Sequence, residues 1–111
     1  MPLDELIAVG LPSALGFAMI GAGAVNFIGP RSVRDSFARW GYPAGFHRVT
    51  GGLEAAAGLL LLIPGTSRAG AMGSVVILLA AVMTLIGHRD WIHLPGAVVL
   101  TALAAAVAIR G

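Results

Sequence analysis

The chain has 111 residues, 58% of them hydrophobic and 11% charged, with a net charge of +2 and a mean hydropathy of +0.92. Soluble domains carry roughly 25% charged residues, and a small soluble fold cannot bury this much apolar surface. The composition therefore points to an integral membrane protein whose side chains face lipid.

The absence of cysteine removes thiolate nucleophiles, disulfide relays and cysteine-ligated clusters. The seven positive charges are all arginines and form no run suited to nucleic acid. A bias towards Ala, Gly and Arg suggests a bacterial source, and so an inner membrane. Asp4 and Glu5 precede the first apolar stretch. A secretory leader would carry positive charge there, so the first segment is expected to remain as a permanent helix.

Apolar segments run over about 6–29, 46–63, 69–87 and 92–109. Each approaches the roughly 20 residues that a bilayer core requires. Gly29-Pro30 ends the first, Pro64-Gly65 the second, and Gly87-His88-Arg89-Asp90 separates the third from the fourth. Pro95 falls in the first turn of the fourth, where its missing N–H costs little. The expectation is one transmembrane domain over 1–111, an all-α integral membrane four-helix bundle. On the first segment Gly10, Ala14, Ala18, Ala22 and Asn26 recur every four residues, a small-residue stripe of the kind that lets another backbone approach.

The long connector between the first two segments carries Val33, Phe37 and Trp40 at i, i+4, i+7. That spacing predicts a short amphipathic helix lying in the headgroup layer, a depth that also suits Trp40 and Tyr42. With four spans, the first and third loops share one side and hold Arg31, Arg34, Arg39, Arg48 and Arg89, against Arg68 and Arg110 on the other. This asymmetry predicts that the first and third loops are cytoplasmic in a multi-pass cell-membrane protein.

Glu54 is the costliest residue in such a frame. It lies roughly 12 Å below the start of the second span at 1.5 Å per residue, and a carboxylate there must be paired, hydrated or protonated. His47, Thr50 and Glu54 share one helix face, and Thr84 and His88 form an i, i+4 pair on the third span. With Asn26 they converge on one half of the bundle, beneath the connector. The expected arrangement is a polar half-cavity open to one leaflet. In it Glu54 and His47 are candidate acid–base catalytic residues, and Asn26, Trp40, Tyr42, Thr50, Thr84 and His88 are candidate ligand contacts. No metal motif, phosphate loop or dinucleotide fingerprint is present, so no metal is expected and no cofactor is evident.

The stretches Phe37-Ala-Arg-Trp-Gly-Tyr-Pro43, Gly51-Gly-Leu-Glu-Ala-Ala-Ala-Gly58 and Leu60-Leu-Leu-Ile-Pro64 resemble the DoxX-like family of small bacterial membrane proteins. The resemblance extends from about residue 16 to 109. It implies a four-helix membrane fold and association with membrane redox complexes, and distant relatives are linked to membrane-protein assembly. Many members carry a lysine near the end of the first helix, where this chain has Asn26. Asn26 is too short and neutral to replace that counter-charge. The helical rise also sets it nearer the surface than Glu54, so no direct contact is expected without helix tilt.

Three functions follow as expectations. The first is a redox-associated subunit that binds quinone or another lipophilic small molecule around Glu54. The second is a non-catalytic accessory or assembly protein of a membrane complex. The third is a small membrane isomerase or cyclase that uses Glu54 and His47. Beyond the lipid bilayer, the expected partners are a membrane redox complex and, because so small a bundle has few interior positions, further copies of the chain in a homo-oligomer.

Overall fold

A computed structural model describes residues 2–110. The chain is all-α, with α1 (Leu3–Ile28), α2 (Arg31–Arg39), α3 (Phe46–Leu62), α4 (Ser67–Gly87) and α5 (Leu94–Arg110), and a 3-10 turn over Pro64–Thr66. Each of the four apolar segments of the sequence is a helix, and the connector carries the fifth. Leu3–Ile28 and Pro64–Gly87 are long and apolar enough to cross a membrane.

Local chemistry sets the helix ends. Gly29 takes φ +67° and its N–H closes α1 on the Val25 carbonyl at 3.0 Å, a left-handed cap that glycine reaches without strain. Pro30 then opens α2, its carbonyl accepting from Val33 and Arg34 at 2.9 and 3.1 Å. At the end of α3, Thr66 Oγ1 donates to the Leu60 carbonyl at 2.9 Å, satisfying one of the acceptors that a helix end leaves open.

The helices are neighbours in the order α1–α3–α4–α5, with lighter contact between α1 and α5. The α1–α3 pairing is antiparallel and built on glycine. A Cβ on Gly23 would lie 2.6 Å from the Ala55 nitrogen and the Gly51 carbonyl oxygen. One on Gly58 would lie 2.7 Å from the Gly16 carbonyl oxygen. Backbones this close gain dispersion contacts along their length, the main attraction between helices where lipid is as apolar as the side chains. Leu15, Met19, Ala57, Leu61, Ala71, Leu78, Ala104 and Val107 form the interior.

The small-residue stripe is not the packing face. Gly10, Ala14 and Ala18 are exposed, Ala22 and Asn26 half-buried, whereas Leu15, Gly16, Met19 and Gly23 are buried. Each four-residue step overshoots a full helical turn by about 40°. The stripe therefore begins on the outer face at Gly10 and drifts onto the packed face only near Asn26. The outside of the molecule stays apolar, with Phe17 67%, Val76 69% and Met83 73% exposed, far more than a water-facing surface tolerates in contiguous patches.

Candidate functional site

The polar side chains gather at one end, where α1 finishes and α3 begins. Glu54 and His47 are both buried, at 7% and 6% exposure. Asn26 Nδ2 donates to Glu54 Oε1 at 2.5 Å. This corrects the expectation that the two stand apart. The glycine register leaves their Cα atoms roughly one turn apart in level. In an α-helix, however, each side chain leans towards its own N-terminus. Because α1 and α3 are antiparallel, Asn26 leans inward and Glu54 outward, and the two meet.

His47 is fixed beside them. Its Nδ1 lies 2.7 Å from the Asn26 carbonyl oxygen. A carbonyl only accepts, so Nδ1 carries the proton in this bond. The ring occupies the space that a side chain on residue 29 would need, which gives Gly29 a second reason to be glycine. Asn26 thus ties α1 to α3 twice, through its side chain to Glu54 and through its backbone to His47. Glu54 Oε2 accepts no hydrogen bond among the described residues.

Around this pair the connector folds back. Phe37 is buried and meets Trp40, Tyr42 and Phe46 at tilted angles and His47 edge-on, with ring centroids 5.3 to 6.5 Å apart. Tyr42 and Phe46 lie parallel at 4.7 Å. Tyr42 Oη and Thr84 Oγ1 are 2.6 Å apart, and Thr84 also donates to the Ala80 carbonyl at 2.9 Å, so Tyr42 is the donor when Thr84 keeps that bond. The link pins the connector to α4. The Trp40 indole nitrogen is buried with no partner among the described residues.

Two of the expected contacts stand outside the cluster. His88 is exposed and bonds only its own helix, Nδ1 to the Thr84 carbonyl at 3.0 Å. Thr50 is half-buried and makes no side-chain hydrogen bond among the described residues. Two hollows of the molecule lie away from this cluster. One, of about 290 Å³, lies at the other end between Ile7, Leu11, Pro12, Ser67, Val107 and Arg110. Another, of about 430 Å³, lies outside α2 against His93. Neither is lined by Glu54 or His47. Among the described residues no group of three His, Asp or Glu side chains is placed to hold a metal ion.

Sequence reasoning missed a second polar cluster. Asp90, in the α4–α5 loop, receives His93 Nδ1 at 2.9 Å and lies 3.7 Å from Arg39 Nη2. The His93 hydrogen bond, and then the positive charge beside it, hold its carboxyl below the usual aspartate range. The sequence signal was the Asp90-x-x-His93 spacing, in which an aspartate before a helix accepts from the backbone three residues on.

No curated protein and no solved structure matches the chain. The profile of the DoxX-like family matches residues 11–107, which takes in Asn26, the aromatic connector, Glu54 and the Asp90 cluster. With an all-α fold, two helices able to cross a bilayer and an apolar exterior, the chain belongs to the DoxX-like family of small membrane proteins.

Proposed function

We propose that the chain is a four-span protein of the bacterial inner membrane that serves as a non-catalytic accessory subunit, holding another membrane chain, a second copy included. In this reading α1, α3, α4 and α5 cross the bilayer and α2 lies in the headgroup layer. The 45 Å long dimension suits a bilayer of about 40–45 Å with its headgroups. The 17 residues each of α3 and α5 fall at the short end of the spanning range of about 17–25. Arginine asymmetry sets the first and third loops in the cytoplasm.

The observation that carries the accessory role is the division of α1 into two faces. Leu15, Gly16, Met19 and Gly23 are consumed by packing within the chain, while Gly10, Ala14, Ala18 and Gly21 remain open. Glu54, closed off by Asn26, then acts as a hydrogen-bond acceptor that joins two spans. The chain lacks cysteine, so single cysteines give a clean test. Ala18→Cys in intact membranes is expected to crosslink to one species of defined mass, twice the chain's own if the partner is a copy, whereas Val76→Cys is not. Equal crosslinking at both positions, or none at Ala18→Cys, contradicts the proposal.

The second reading is a redox-associated subunit that binds quinone or a related lipophilic molecule. Glu54 Oε2 favours it, because that oxygen has no hydrogen-bond partner among the described residues and could accept from a ligand hydroxyl. It predicts saturable quenching of tryptophan fluorescence by a short-chain benzoquinone, lost in Glu54→Gln. Unsaturable quenching, alike in both proteins, removes this reading. The isomerase or cyclase reading needs Glu54 and His47 to act together, and no hydrogen bond joins them.

A further inference from the structure

The outer face of α2 holds a second set of groups that the accessory role does not use. Ser32, Ser36 and Arg39 follow at i, i+4, i+7, one residue behind the apolar row Val33, Phe37 and Trp40. Of the apolar row, Phe37 is buried against the bundle, while Val33 borders the outer hollow. Ser32, Val33, Asp35, Ser36 and Arg39 line an open hollow of about 430 Å³, whose far wall is His93 at the start of the α5 segment.

The hollow is built rather than incidental. The Asp90 side chain, only 9% exposed, sits behind it and holds both walls, accepting from His93 Nδ1 at 2.9 Å and facing Arg39 Nη2 at 3.7 Å. With Nδ1 engaged, Nε2 is the ring nitrogen left without a partner among the described residues. Arg39 donates one N–H to Ser36 Oγ at 3.4 Å and keeps others for a ligand. Two acids bear on the hollow: Asp90, behind it, is matched by His93 and Arg39, and Asp35, which lines it, faces Arg31 at 3.8 Å. A planar guanidinium, an imidazole and two hydroxyls around an open space suit the tetrahedral oxygens of a phosphate.

We propose that this hollow binds a phosphate ester, with Arg39 and His93 contacting the phosphoryl oxygens and Ser32 and Ser36 supplying hydroxyl contacts. The chemistry is shared by a lipid headgroup and by a soluble phosphate monoester, and the experiment separates them. It is independent of the accessory role, since neither Glu54 nor the open face of α1 takes part.

The test uses the full chain in detergent micelles, with short-chain phosphatidic acid added and bound lipid counted by native mass spectrometry. A parallel titration uses glycerol 3-phosphate. Wild type is expected to bind phosphatidic acid saturably. Arg39→Gln and His93→Gln are each expected to weaken binding roughly tenfold, the scale of one charge-assisted hydrogen bond. The Ser32→Ala, Ser36→Ala pair leaves the Asp90 contacts intact, so its weaker binding reports the hollow even if the charge variants disturb the loop. Arg34→Gln, on the same helix but not lining the hollow, is expected to bind as wild type. Binding of phosphatidic acid without glycerol 3-phosphate assigns the site to lipid headgroups, and binding of both assigns it to phosphate esters at large. The proposal is overturned if neither probe binds, or if Arg34→Gln loses as much as Arg39→Gln, which would mark diffuse surface charge.

Discussion

Gly23 and Gly21 lie two residues apart on one helix, and the fold predicts opposite responses to the same added methyl group. A Cβ on Gly21 meets nothing within 4 Å. On Gly23 it would sit 2.6 Å from two backbone atoms of α3, against an ordinary contact of 3.4 Å or more. Those atoms belong to helix backbone and cannot swing aside, so α3 must retreat by about 0.8 Å, a shift that follows from those distances. The same retreat carries the Asn26–Glu54 bond from 2.5 Å past the usual limit of about 3.2 Å. Forcing a methyl into packed space costs about 1–3 kcal/mol, and losing an interhelical hydrogen bond in a membrane about 0.6–1.7 kcal/mol. Replacing glycine by alanine in a helix returns up to about 1 kcal/mol. Gly23→Ala is therefore expected to lose about 1–4 kcal/mol, while Gly21→Ala is neutral or slightly stabilising. Reversible unfolding in mixed micelles, followed by helical circular dichroism, measures both. Equal stability of the two variants would refute the close α1–α3 approach.

The remaining predictions concern the polar end. Tyr42→Phe removes the link to Thr84 and is expected to cost about 1 kcal/mol; no change in the same assay would mean that the connector is not pinned to α4. Gly29→Ala forces a left-handed φ on alanine and drives the His47 ring from its place, costing about 1–3 kcal/mol. In a His47→Ala background the steric part of that loss should vanish, and its persistence would contradict the packing described. The Asp90 contacts respond to acid. Because the folded protein holds this carboxyl below its ordinary range, its contribution is present above the unfolded value of about 3.9 and disappears as pH falls through the lower folded value. Spin labels at positions 38 and 92 should keep a narrow distance distribution from pH 7 down to about 4 and broaden only as pH falls further, through the lower folded value. In Asp90→Asn the distribution should be broad throughout, and a narrow one in that variant would count against the latch.

Helix positions were legible in the sequence because Gly29-Pro30, Pro64-Gly65 and the 87–90 turn interrupt otherwise continuous apolar runs. The connector helix was legible from the single row Val33, Phe37 and Trp40, whose middle member is buried. What a linear reading could not supply was direction. The rise along each helix set Asn26 and Glu54 at different depths, but the opposite lean of side chains on antiparallel helices closes that gap. The four-residue stripe on α1 failed as a packing predictor for a related reason, since its drift around the helix carries Gly10 and Asn26 to different faces. The true contact positions, Gly16 and Gly23 against Gly58 and Gly51, are seven apart and could have been found by pairing the two helices in antiparallel register. His88 was grouped with the polar residues by its depth and its i, i+4 spacing from Thr84, yet it bonds its own helix. Asp90 was passed over as a turn residue although its spacing to His93 already suggested a cap.

The most direct measurement of the role assigned to Glu54 is a double-mutant cycle with Asn26→Leu and Glu54→Leu, read as unfolding free energy in mixed micelles. An internal hydrogen bond between the two predicts a coupling of about 0.6–1.7 kcal/mol. Glu54→Gln, which keeps an acceptor oxygen, should retain most of the wild-type stability. A coupling near zero, with Glu54→Leu no less stable than wild type, would contradict the reading of Glu54 as the acceptor that joins α1 to α3.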